Sequence, residues 1–87
     1  MNQLNDLREL IDACDKEIVL AIEKRFKTVK TIMEYKKKNN LEIYQPNREK
    51  EVLLKVESYL QDEEFYEELI SLYSHILKLS KDIQRKA

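Results

Sequence analysis

From Leu4 onward, apolar residues recur at alternating steps of three and four: Leu4, Leu7, Ile11, Cys14, Ile18, Ala21 and Ile22, then Val29, Ile32 and Met33. That spacing predicts one amphipathic helix from about residue 4 to about residue 38, uninterrupted by Gly or Pro. Asn5 or Asp6 offers a cap at its start. Lys36, Lys37 and Lys38 complement the dipole at its end, where Asn39 and Asn40 can stop it. At ~1.5 Å per residue, roughly 34 residues reach ~50 Å, which is long for a chain of this size. Residues 41–45 read as a connector. Pro46 suits the first turn of a second helix that runs to about residue 60, with Val52, Leu53, Val56 and Leu60 on its apolar face. Asp62 is placed to cap a third helix that has Glu63 and Glu64 in its first turn. The apolar line of that helix is Phe65, Leu69, Leu72, Ile76, Leu79 and Ile83. The expectation is an all-α chain of three helices, long, short and medium, forming a single domain over residues 1–87 with no internal repeat.

Composition supports this pattern. The 87 residues include no Gly and one Pro, and 38 % are charged. Tight turns and strands usually draw on Gly, so its absence favours helices. The formal net charge of −1 provides no global field for nucleic acid or an anionic membrane. No apolar run approaches the ~20 residues of a membrane span. Residues 1–8 carry no apolar core of a signal peptide. A single cysteine, Cys14, cannot pair internally, and a reduced, cytoplasmic setting is expected. A chain this short buries a modest fraction of its surface alone, so long thin helices call for a partner.

The informative residues are polar ones that break the apolar pattern. Continuing the heptad from Leu4 through Ala21, the next seam position is Arg25. A charge there is costly unless an opposite charge meets it. Lys36 lies 11 residues further, on the same face within ~20° and ~16 Å along the axis. Two such side chains could lean inward and hold one small anion. Arg8 lies 17 residues before Arg25, hence ~25 Å away, and no small ligand touches both on one straight helix. If Arg8 serves such a site, it serves a partner's, as two antiparallel long helices would arrange. All three cations could instead be solvated face residues. The second helix opens Pro46-Asn47-Arg48-Glu49. Glu49 there complements the dipole, whereas Arg48 opposes it and hints at another task. On the third helix Ser80 and Gln84 are four apart beside Leu79 and Ile83. Spacing leaves open whether they are structural contacts or ligands.

Taken in order, these residues resemble the all-helical, AroQ-class (type II) chorismate mutases. The resemblance rests on Leu7-Arg8-Glu9-Leu10-Ile11-Asp12 with Asp15, on Arg25, Lys36 and Arg48-Glu49, and on Ser80 with Gln84, and it covers nearly the whole chain. It implies an intertwined homodimer that needs no cofactor or metal. It also implies an intramolecular Claisen-type rearrangement of chorismate to prephenate in phenylalanine and tyrosine biosynthesis, driven by conformational restriction and charge stabilisation. Carried over by position, Arg25 and the partner's Arg8 would bind the substrate carboxylates, with Arg48 nearby and Ser80 assisting. Lys36 and Gln84 would donate to the ether oxygen. Glu49 would accept from the ring hydroxyl, together with backbone at about Gln45. Many relatives carry Asp at the position of Gln45, so its side chain departs from the pattern. Some carry Glu at the position of Gln84, which must be protonated to donate, whereas Gln84 donates at every pH.

Other residues are read as structural. His75 is placed at a packing edge, Cys14 as a small core residue, and the five tyrosines as packing residues with wet hydroxyls. Two alternatives compete with the mutase: an isochorismate pyruvate lyase on the same fold, and a non-catalytic helical dimerisation or regulatory module. The first would release pyruvate. The second would be indifferent to loss of Arg25.

Overall fold

The computed structural model describes residues 2–42 and 46–86. Their order is α1 (Gln3–Lys38), α2 (Pro46–Tyr59), a single 3-10 turn (Glu63–Phe65) and α3 (Tyr66–Lys86). The chain is all-α, as its periodicity predicts, with no strand among the described residues.

The first helix begins earlier than expected. Asn2, not Asn5 or Asp6, is its cap: the Asn2 side-chain oxygen accepts from the backbone N–H of Leu4 at 3.0 Å and of Asn5 at 3.4 Å. Because Asn2 supplies that oxygen one turn upstream, Asn5 and Asp6 are already helical, and Asp6 faces the positive end of the dipole. At the other end Asn40 takes a left-handed conformation, φ 55°. With Asn40 so placed, the N–H of Leu41 reaches Lys36 O at 2.8 Å and that of Asn40 reaches Lys37 O at 3.4 Å. Helices usually stop this way on Gly; in a chain without Gly, Asn is the residue that tolerates it.

Asp62 caps as expected, through Oδ1 accepting from Glu64 N at 3.0 Å, but what it opens is the 3-10 turn. A short i→i+3 bond from Phe65 N to Asp62 O tightens that turn, and regular α-geometry starts at Tyr66.

The third helix lies between the other two. It packs on α1 and on α2, whereas α1 and α2 do not pack on each other among the described residues. The core is small. Val29 and Met33 of α1 and Ile76 of α3 are its buried apolar members, with Ser80 buried beside them. Phe65, Leu69, Leu72 and Leu79, expected on the inner line of α3, are exposed; the helix turns Tyr73, Ile76, Leu77 and Ser80 toward its neighbours instead.

Residues 2–21 form an arm with no second element against it among the described residues, and every position there is exposed. Its seam, including Leu4, Leu7, Ile11 and Ile18, is half or more open to solvent. Cys14, expected in a core, is exposed for the same reason. The chain therefore extends 59 × 24 × 16 Å. A continuous apolar face of this length is a surface that soluble proteins cover.

Candidate functional site

Beyond the arm, the α1 seam meets α3, and there the out-of-pattern polar residues converge. A cavity of about 260 Å³ is walled by Arg25, Val29, Ile32 and Lys36 of α1 and by Arg48, Glu49 and Val52 of α2. Its floor is Leu77, Ser80, Lys81 and Gln84 of α3. The apolar members lie at helical spacing with the polar ones, so each helix presents a mixed stripe to one point. Six of the eight residues singled out by sequence thus share one site: Arg25, Lys36, Arg48, Glu49, Ser80 and Gln84.

Arg25 is the most constrained. Its Nη1 donates to Ser80 Oγ at 2.6 Å, and that hydroxyl passes its own hydrogen to Ile76 O at 2.9 Å. The guanidinium carbon stands 5.5 Å from the centre of the Tyr73 ring, within cation–π range. Ser80 is buried, so the seam charge is met by a polar acceptor and an aromatic face. The remaining N–H groups of its fork are left for an anion.

Glu49 is held from the floor: Lys81 Nζ lies 2.6 Å from its Oε1. Arg48 points outward to Glu51, one turn on, at 3.3 Å, both side chains more than half exposed. Lys36 and Gln84 line the cavity half-buried.

One residue is not brought to it, and another cannot be placed. Arg8 is exposed on the arm of the same unbroken helix, and its ~25 Å from Arg25 stands. Gln45 lies outside the described residues.

Tyr73 and Lys81 are site neighbours that sequence reasoning missed. Tyr73 precedes Ser80 by seven, two helical turns, which was the available signal. Lys81 carried none, since its partner is on another helix. His75, expected at a packing edge, is exposed.

A wider hollow of about 740 Å³ lies where α2 turns into α3, lined by Leu54, Glu57, Ser58, Leu60, Glu63 and Tyr66. It presents two carboxylates and no cation, so it is the wrong chemistry for an anion. Among the described residues no group of three or more His, Cys, Asp or Glu is arranged to hold a metal ion, and no helix is long and apolar enough to cross a membrane.

A family model described as chorismate mutase type II matches residues 7–85, which include both ends of the site. The chain belongs to that family. It is also 34 % identical over 92 residues to a bifunctional chorismate mutase/prephenate dehydratase of Aquifex aeolicus (strain VF5). That alignment covers 99 % of this chain and 25 % of the relative, so the chain spans a quarter of that protein's length. No solved structure matches.

Proposed function

We propose that this chain rearranges chorismate to prephenate, a step of phenylalanine and tyrosine biosynthesis, as an intertwined homodimer in which residues 1–87 form one chorismate mutase domain. The observation that carries the reading is the convergence of Arg25, Lys36, Arg48, Glu49, Ser80 and Gln84, from three helices, on one small cavity.

The reaction breaks one C–O bond and forms one C–C bond within the same molecule. It needs no attacking group from the protein. Its barrier lies in folding the substrate so that its ends meet, and in the charge that grows on the ether oxygen as the bond opens. Arg25 is suited to the first task. Held by Ser80 and flanked by Tyr73, its fork keeps one orientation and meets a carboxylate without first losing side-chain freedom. Lys36, on the α1 wall, and Gln84, on the α3 floor, are the donors for the ether oxygen. Each gains strength as that oxygen becomes more negative, which is stabilisation specific to the transition state. Glu49 accepts the ring hydroxyl, with backbone at Gln45 assisting. Arg48 exchanges Glu51 for the substrate. That exchange costs little, because an exposed pair of this kind is worth about 0–1 kcal/mol.

The second carboxylate falls to Arg8 of the partner subunit. Support for this comes from the exposed arm: two arms laid antiparallel cover each other's seams and carry each Arg8 toward the other chain's Arg25.

Purified protein should consume chorismate, followed by its absorbance, and form prephenate in equal amount. Light scattering should give twice the 10.5 kDa chain mass. Pyruvate release from isochorismate without prephenate formation from chorismate would move the assignment to a lyase, and both substrates left intact would leave only a helical dimerisation or regulatory module.

A further inference from the structure

Glu49 poses an electrostatic problem. It is a carboxylate in a cavity that, on the reading above, receives a dicarboxylate. Like charges at that range repel and weaken binding. The structure supplies an answer in a residue that no family position led us to expect. Lys81 Nζ sits 2.6 Å from Glu49 Oε1, and both side chains line the cavity.

The fold makes this link matter. Helix α2, which carries Arg48 and Glu49, packs against α3, and its backbone does not pack against that of α1 among the described residues. The α1 and α2 walls of the cavity are thus positioned separately on the α3 floor. Lys81 joins the α2 wall to that floor at the first turn of α2, far from the 60–65 connection that joins the two helices covalently.

We infer that Lys81 is a positioning residue for substrate recognition: its ammonium group offsets the charge of Glu49 and fixes the carboxylate by Oε1, leaving Oε2 to accept the substrate's ring hydroxyl. The chemistry asked of Lys81 is the same before and during bond rearrangement, because the substrate is a dianion with a hydroxyl group in both states. Its contribution is therefore uniform binding, which appears in KM and not in kcat.

This rests on the mutase reading, and steady-state kinetics on the full dimeric protein test the two separately. In Lys81→Met, KM for chorismate should rise roughly fivefold, the upper end for a partly exposed charge pair, with kcat within about 1.5-fold of the starting protein. Lys81→Arg, which keeps charge and reach, should bring KM back to within about twofold. With Glu49→Gln already present there is no charge to offset, and adding Lys81→Met should change KM by less than about 1.5-fold. An unchanged KM in Lys81→Met overturns the inference. So does a fall in kcat or thermal stability without a rise in KM, which marks a structural role. A full KM effect that persists beside Glu49→Gln overturns it too, since Lys81 would then act on substrate directly. A starting protein that leaves chorismate intact overturns the mutase reading itself and this inference with it.

Discussion

Arg25 and Ser80 are 55 residues apart in the chain, yet Arg25 Nη1 lies 2.6 Å from Ser80 Oγ. This bond ties the seam of α1 to the floor of the cavity and fixes a guanidinium where an apolar side chain would ordinarily pack.

Removing that guanidinium should be severe. Arg25→Ala is expected to lower kcat/KM by about 100- to 1000-fold, the scale of losing one preorganised charged donor. The dimer should persist, because the arm lies elsewhere. Arg25→Lys should recover little, since one ammonium group cannot meet Ser80 and a carboxylate with fork geometry. Steady-state kinetics beside a light-scattering mass check both halves.

Ser80→Ala should be milder. It removes the acceptor that orients Arg25 and frees the Ile76 carbonyl, which other helical bonds already satisfy. A cost of about 1 kcal/mol corresponds to roughly a fivefold loss of kcat/KM. An unchanged rate would mean that Tyr73 alone holds the guanidinium.

Gln84 sets the pH behaviour. A neutral amide donates at every pH, so the protein should work at neutral pH with no acidic optimum; a rate rising steeply below about pH 6 would contradict this. Gln84→Glu reverses the situation. A carboxyl group donates only when protonated, and its ordinary pKa is about 4.3, so activity of this variant should climb as pH falls toward that value. A pH series of kcat/KM for both proteins decides it.

The core should be easily unsettled. Met33 is 4 % exposed in a core with few other buried members. Met33→Ala should cost about 2–4 kcal/mol, read as a lowered midpoint of thermal unfolding. That midpoint should rise with protein concentration if folding and pairing are coupled.

Much of this was readable from the chain, for a definite reason. Steps of three and four between Leu4 and Met33 leave one helix as the only regular solution, and α1 spans Gln3–Lys38. Arg25 stood out because a seam tolerates no unmet charge, and Ser80 with Gln84 because four residues bring them to one face. Where several polar residues offer the same service, spacing cannot choose: Asn5 and Asp6 are the expected caps, yet Asn2, equally suited by residue type, is the one used. Contacts between helices were out of reach. Lys81 with Glu49, and Tyr73 with Arg25, depend on how α2 and α1 are rotated against α3, which no single-helix period encodes. Cys14 was placed in a core by the same seam logic that succeeded for Val29. It failed for the single chain because nothing among the described residues covers the arm.

The central claim is that two chains build each site, and mixing two disabled chains tests it most directly. Arg8→Ala and Arg25→Ala proteins should each be nearly inactive alone. Unfolded together and refolded as a mixture, about half the dimers carry one chain of each kind. If Arg8 acts on the partner's site, each mixed dimer holds one site with both arginines intact and one with neither. Chorismate consumption should then return to about a quarter of the unsubstituted protein's rate. If Arg8 acts within its own chain, or not at all, no site regains both arginines, and a mixture no faster than its components would contradict the account.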